Sequence, residues 1–174
     1  LKGYSDSTIL FDLQTEFNPQ CDPSGLQKKS GPNDCYHPKD YSGTFTGPVT
    51  MRQALARSLN VPAVKTLYLA GIQDTVETTR SMGVASLHPE NYYGLSLVLG
   101  GAGISLHDMV TGYAVFANDG VRNPTTSILK ITSSDGSILE EFEPQEERVL
   151  PAQVARMISD ILSDNSARTP AYGP

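Results

Sequence analysis

Read for the spacing of its apolar residues, the chain opens on an extended segment, crosses a long polar stretch and then turns mostly helical. Residues 1 to 16 cluster Ile9, Leu10, Phe11 and Leu13. Residues 17 to 47 carry Pro19, Pro23, Gly25, Gly31, Pro32, Pro38, Gly43 and Gly47 among few apolar positions. A loop of that length without elements of its own is uncommon inside a compact domain, so the pattern predicts a polar surface insertion over 17–47. The first helical signal comes at Thr50-Met51-Arg52-Gln53, which has the form of a capping box, with Val49 placed to staple onto Ala54. Met51, Ala54, Leu55 and Ser58 then recur at i, i+3, i+4 and i+7, which predicts that Ser58 lies on the inward face of this helix, anchored by Leu55 and Leu59.

Further along, Pro62 disfavours helical geometry at Val61 and suits the first turn of a second helix running to Gly71. Asp74 to Glu77 offers a cap for a short helix ending at Gly83. Ser105 to Asp108 caps a longer one, with Leu106, Met109, Val110, Tyr113, Phe116 and Ala117 on one side and Asn-Asp-Gly at 118 to 120 as its stop. TSILKIT and SILEEF flank Asp135-Gly136 and read as a β-hairpin. After Pro151, the residues Val154, Met157, Ile158, Ile161 and Leu162 mark the cleanest amphipathic helix of the chain. The elements predict an α+β fold with no internal repeat.

Composition narrows the class of partner. The chain has 174 residues, 39% hydrophobic and 18% charged, enough for a folded core. A net charge of -6 argues against nucleic acid, whose affinity comes largely from Lys and Arg neutralising phosphates. No stretch reaches the roughly 18 consecutive apolar residues of a membrane span, and no basic-then-apolar signal opens the chain. Because it starts at Leu1 and stops at RTPAYGP, we expect an internal fragment of a longer protein.

Cys21 and Cys35 bracket a segment rich in turn formers. A disulfide there closes a loop of about 15 residues and is worth about 3 kcal/mol in the chain-entropy picture. Two other readings stay open: a metal site recruiting Cys21, Cys35 and His37 at non-standard spacing, and two free thiols.

On motif grounds Ser58-x-Asn60 alone is weak, but its surroundings carry more. GPVTMRQALARSLNVPAV at 47 to 64 resembles the second-motif region of the penicillin-binding protein transpeptidase domain, especially the bifunctional class A type. LGGAGISLHDMVTGYAVFANDGV at 99 to 121 is similar to the next segment of that family, and GYSDSTILFD near the start resembles the stretch after its nucleophile helix. The resemblance implies part of a transpeptidase or serine β-lactamase-like fold, mostly its helical part plus one hairpin. It also implies a site built from Ser-x-x-Lys with the acylated serine, Ser-x-Asn, and Lys-Thr/Ser-Gly. Only the middle motif maps here. Ser58 is then expected to relay a proton to the leaving nitrogen, and Asn60 to hydrogen-bond the substrate amide and orient the lysine of the first motif.

The remaining matches are set aside. Ser127-Ile128-Leu129-Lys130 falls in a predicted strand, where serine and lysine three apart face opposite ways. Lys29-Ser30-Gly31 falls in the polar loop without a strand pattern, and the order of the two is the reverse of the family's. The nucleophile and third motif are therefore expected outside these residues, and the chain alone is expected to be inactive. His37, His88 and His107 are scattered, with surface or capping duty the better reading for His107. Gly100, Gly101 and Gly103 read as close packing, since no Lys-Ser/Thr comes after them. The acidic run EEFEPQEE reads as a solvated hairpin edge.

The resemblance thus implies a peptidoglycan D,D-transpeptidase segment that acts on stem peptides and is acylated by β-lactams, with no cofactor and no metal. It implies a location outside the bacterial cytoplasmic membrane, on an anchor beyond this chain, with a glycosyltransferase in the parent. A D,D-carboxypeptidase, a non-catalytic penicillin-binding-like sensor or scaffold, and an unrelated secreted binding module are the alternatives.

Overall fold

The computed structural model describes residues 3–24, 26, 34–89 and 92–173. Helix outweighs strand, 40% to 12%, so the α+β class holds. The chain divides into two compact units, Leu1–Thr75 with Pro89–Ala102 and Asp160–Pro174, and Val76–His88 with Gly103–Ser159. Among the described residues no helix is long and apolar enough to cross a membrane.

In the first unit, β1 (Ile9–Asp12) pairs antiparallel with β2 (Gly47–Thr50), Leu10 opposite Val49 and Asp12 opposite Gly47. Strand alternation sends Leu10 and Asp12 inward and leaves Ile9 and Phe11 exposed. A carboxyl group is carried into the core by register alone. Helix α1 (Met51–Ala56) starts on the expected box: Thr50 accepts from the Gln53 N–H at 3.1 Å, and the Gln53 side chain accepts from the Thr50 N–H at 3.0 Å. Helix α2 (Asn60–Ala70) buries Val61, Pro62, Val64 and Leu67 and packs against a 3-10 turn at Leu95–Leu99. Gly101 packs tightly on that turn, since a Cβ there would lie 2.8 Å from the Ser96 carbonyl. A short helix α6 (Asn165–Tyr172), which the hydrophobic pattern does not predict, lies against α1. Arg52 of α1 reaches the α6 cap Asp164 at 3.0 Å, and also pairs with Asp6 at 2.9 Å and Asp160 at 2.5 Å.

The irregular stretch between β1 and β2 is organised by polar groups. Cys21 and Cys35 are joined by a disulfide, 5.7 Å apart at Cα. Glu16, with 2% of its side chain exposed, accepts from the N–H groups of Asn18 at 2.9 Å and Tyr36 at 2.7 Å and meets His37 Nδ1 at 2.9 Å. His37 therefore turns to a carboxylate. With both sulfurs in the disulfide, the neighbouring Glu16, Cys21 and Cys35 have no thiolate to offer a metal.

Helix α3 (Ile72–Ser81) begins before the expected cap at Asp74 and contributes to both units. In the second unit, Ser105 caps α4 (Leu106–Ala117) by accepting from the Asp108 N–H at 3.1 Å. The helix buries Asp108, Gly112 and Val115 rather than its apolar stripe; Leu106 is 81% and Val110 59% exposed. Its stop at Asn118 to Gly120 is as read, with a constraint behind it. Gly120 has φ +86°, and a Cβ there would sit 2.3 Å from the Leu150 carbonyl. β3 (Val121–Arg122) pairs with β6 (Glu147–Arg148), and β4 (Lys130–Thr132) pairs with β5 (Ile138–Glu141) as the predicted hairpin. Helix α5 (Ala152–Ser163) completes the set, with Ala155 buried in this unit.

Candidate active site

The residues singled out as the second motif lie on the connection between α1 and α2, and the details differ from the periodicity argument. α1 ends at Ala56, so Ser58 is not on its inward face. The chain closes the helix through Arg57 N–H to Gln53 O at 3.0 Å, Ser58 N–H to Leu55 O at 3.1 Å and Leu59 N–H to Ala54 O at 3.0 Å. Ser58 then takes φ +55° and is exposed. Leu55, expected as an anchor, is 45% exposed, and Leu59 is only half-buried. Extending the i+7 spacing assumed a helix that continues, whereas this one has a single turn and a half.

A left-handed φ in a non-glycine residue costs about 1–2 kcal/mol. Such strain persists where surrounding contacts over-determine the backbone, and these positions concentrate at functional sites. Ser58 is one of two such non-glycine residues among those described, the other being Asp119 in the turn after α4.

Asn60 is the first residue of α2, and Val61, ahead of Pro62, is helical as well. The break lies at residues 57 to 59, earlier than Pro62 was expected to set it. The reason is the accounting of N–H groups at a helix start, where the first few have no partner within the helix. The cap position, Leu59, has no side chain able to help. Asp40 supplies the acceptor from outside: its Oδ1 takes the N–H of Asn60 at 2.6 Å and of Val61 at 3.3 Å. Pro62 has no N–H to satisfy, and Ala63 N–H reaches Leu59 O at 3.2 Å. The start of α2 is thus fully paired. The Asn60 side chain is fixed by the same loop, its Nδ2 donating to the Lys39 carbonyl at 2.8 Å, which leaves its Oδ1 available.

Beneath this start lies a second carboxyl group. Asp12 is fully buried and Asp40 is 5% exposed. Asp12 Oδ2 accepts from the Thr46 N–H at 2.6 Å, and Lys65 of α2 donates to the Phe11 carbonyl at 2.6 Å. Burial and a hydrogen bond to Asp12 push the Asp40 carboxyl above its ordinary range, against the pull of the two N–H groups. Burial lowers the Lys65 ammonium, with Asp12 opposing. Sequence reasoning missed Asp12, Lys39 and Asp40. The available hint was negative: a helix opening on Leu-Asn-Val-Pro has no cap of its own, so an acceptor must come from elsewhere.

The decoy motifs gain no active-site setting. Ser127 lies outside the strand that begins at Lys130, and Lys130 pairs with Glu141 at 3.3 Å. Both residues line an open cleft against the hairpin that draws only on residues 126–131, 140 and 142. Lys29-Ser30-Gly31 lies outside the described residues. His107 sits in the first turn of α4, its Nε2 3.0 Å from Thr125 Oγ1.

Comparisons with known proteins place this connection in a family. The chain is 34% identical over 162 residues to penicillin-binding protein 1A of Aquifex aeolicus, covering 93% of the chain and 20% of that protein. It is 31% identical over 162 residues to penicillin-binding protein 2D of Bacillus subtilis, covering 92% and 22%. The chain therefore spans about a fifth of the length of these relatives. Penicillin-binding protein 1A of Haemophilus influenzae superposes with a TM-score of 0.77 over 95% of this chain and 27% of that one, at 23% identity. Penicillin-binding protein 3 of Mycobacterium tuberculosis, in complex with aztreonam, superposes with a TM-score of 0.69 over 91% and 36%, also at 23% identity. At those identities the superpositions speak for the fold. The sequence profile of the penicillin-binding protein transpeptidase domain matches residues 18–173, which takes in the disulfide loop, Asp40, Ser58 and Asn60, and the chain belongs to that family.

Proposed function

We propose that this chain supplies the Ser-x-Asn part of a serine-type peptidoglycan D,D-transpeptidase. The observation that carries the reading is the Ser58–Asn60 connection itself. An exposed hydroxyl sits on a strained backbone, next to an amide whose orientation is set by a backbone carbonyl, in a chain matching the transpeptidase domain over residues 18–173.

In this reading a serine elsewhere in the full protein attacks the carbonyl between the two D-Ala residues of a stem peptide. The peptide C–N bond breaks, the acyl-enzyme ester forms, and the terminal D-Ala leaves as an amine. Ser58 passes the proton to that leaving nitrogen, work that needs a hydroxyl held within hydrogen-bond reach and is worth about 10²–10⁴ in rate. Asn60, with Nδ2 committed to Lys39, presents Oδ1 to the substrate amide N–H or to the lysine of the first motif. An amine of a neighbouring stem then attacks the ester and releases the serine. β-Lactams acylate the same serine.

The stretch 17–47 acts as a surface insertion whose Lys39–Asp40 end supports the site. Its disulfide fits an oxidising compartment outside the cytoplasmic membrane. An anchor and a glycosyltransferase belong to the rest of such a protein.

The test is labelling with a fluorescent penicillin, run on the full protein and on the 174-residue chain, with mass spectrometry of stem-peptide products. Labelling of the full protein with cross-linked dimers as product supports the reading. Trimmed monomers alone make it a carboxypeptidase. Absence of labelling in the folded full protein removes the acyl-enzyme and leaves a scaffold, and labelling of the chain alone means that the nucleophile lies within it.

A further inference from the structure

We propose that the Cys21–Cys35 disulfide is a redox-sensitive clasp that positions the start of α2, so that its reduction to two thiols loosens Asn60 in a protein that stays folded. The consequence for acylation rests on the transpeptidase reading; the coupling of the disulfide to the Asn60 backbone does not.

Two segments, 16–21 and 34–37, run side by side at the disulfide, and little besides it joins them. Phe17 donates its N–H to the Tyr36 carbonyl at 2.9 Å, and Asn18 Nδ2 donates to the Asp34 carbonyl at 3.1 Å. Glu16 accepts the Tyr36 N–H at 2.7 Å and meets His37 Nδ1 at 2.9 Å. The Phe17 and Tyr36 rings lie 6.0 Å apart. Neither segment belongs to a strand, so no ladder of backbone bonds reinforces these contacts. The covalent link from Cys21 to Cys35 keeps them in register.

The second segment leads straight into the residues that hold α2. Lys39 and Asp40 come four and five positions after Cys35. Lys39 offers its carbonyl to Asn60 Nδ2 at 2.8 Å, and Asp40 Oδ1 accepts the N–H groups of Asn60 at 2.6 Å and Val61 at 3.3 Å. Leu59, at the cap position, makes no side-chain cap bond, so the orphan donors of the helix start depend on this segment. Pro38 stands between the two groups of contacts, and its ring fixes φ there. A shift at Tyr36 and His37 is therefore passed on to Lys39 and Asp40 instead of being absorbed between them.

The reductant required is a dithiol. Cys21 is 7% exposed and Cys35 is half-buried, which makes Cys35 the accessible end. A thiolate of the dithiol attacks the Cys35 sulfur, the S–S bond breaks, and its electron pair leaves on Cys21, which takes up a proton. The second thiol of the reductant gives up its proton and displaces Cys35 in turn. Two electrons and two protons have then passed to the protein, and the reductant has become a disulfide. Sulfurs that are no longer bonded move apart, and the Glu16 and Phe17 contacts are left to hold 34–37 alone.

The experiment compares the oxidised full protein with the same protein reduced by dithiothreitol, well below its unfolding temperature. Amide hydrogen exchange is resolved at Asn60 and Val61 and, as references, at Arg57 and Gly71, whose N–H groups bond to Gln53 O and Leu67 O. Penicillin acylation is measured in parallel. Reduction is expected to speed exchange at Asn60 and Val61 by about 10-fold or more, with the references unchanged. Acylation is expected to slow by about 10–100-fold in the rate constant at saturating penicillin, as suits reacting groups displaced by about an ångström, and to recover on reoxidation. The double variant Cys21→Ser with Cys35→Ser is expected to match the reduced wild type and to ignore the reductant.

Unchanged exchange at Asn60 and Val61 overturns the proposal, and so does a rise shared equally by the references, which makes the disulfide a general stabiliser. A response to reductant that persists in the double variant also overturns it. Local loosening with acylation undiminished removes the link to Asn60's role. The exchange pattern without any acylation of the oxidised protein keeps the clasp and rejects the transpeptidase reading.

Discussion

Glu16 and Asp40 belong to the same irregular stretch between β1 and β2, both bury their carboxyl groups, and their acidities move in opposite directions. For Glu16 burial is the largest effect and pushes the pKa up, yet the Asn18 and Tyr36 N–H groups and His37 together outweigh it, and the group ends below its ordinary range. Asp40 also accepts two N–H groups, but it faces Asp12, and it ends above its ordinary range. Burial alone therefore says little about the charge of a carboxyl. What decides is whether the second oxygen meets a donor or another carboxyl.

The contrast can be broken most severely at Glu16. Glu16→Ala strips the acceptor from three donors at the base of the disulfide loop, and we expect a loss of about 3 kcal/mol in urea unfolding, since each buried group left unpaired costs about 1–3 kcal/mol. A cost below about 1 kcal/mol means that water replaces the carboxylate.

Isosteric amides sharpen the same contrast. Glu16→Gln turns an N–H₂ toward groups that are themselves donors and is expected to cost about 1–2 kcal/mol, whereas Asp40→Asn is expected to be nearly neutral. The pH dependences have opposite signs. Glu16 has a lowered folded pKa, so its contribution is present above the unfolded value and is lost as pH falls through the folded one. Asp40 has a raised folded pKa, so its contribution is full below the unfolded value and is lost as pH rises through the folded one. Unfolding curves for the two variants should therefore diverge from wild type at opposite ends of the pH range.

Smaller effects separate local from long-range support at the same helix pair. Thr50→Ala removes the capping box of α1 and should cost about 1 kcal/mol by chemical denaturation. Ser58→Gly relieves the left-handed backbone and should raise stability by up to about 1 kcal/mol. A destabilised Ser58→Gly variant shows that the hydroxyl, not the backbone, matters to the fold.

Legibility in the sequence depends on the range of each interaction. The capping box at Thr50, the Ser105 cap, the Asp135-Gly136 hairpin and the α5 stripe are local signals, and each element is where its signal puts it. The two-residue strands β3 and β6 are too short to carry a pattern, and α6 contains Pro170, which argues against a helix in any reading by propensity. The α4 stripe predicts the helix, and its apolar side is largely exposed, because periodicity identifies a face without saying what covers it. Ser58 and Asn60 stand out only through family resemblance. Asp40 is invisible because its partners lie about twenty residues away, and nothing local in Lys39-Asp40 announces a helix cap.

The most direct test of the Ser58 assignment is the rate of penicillin acylation of the full protein carrying Ser58→Ala or Ser58→Gly. The first variant keeps the strained backbone and the second relieves it, while both remove the hydroxyl. Proton relay by Ser58 predicts that both acylate about 10²–10⁴-fold more slowly than wild type, with the folded domain intact in each. Wild-type rates in Ser58→Ala would contradict the claim that this hydroxyl carries the proton.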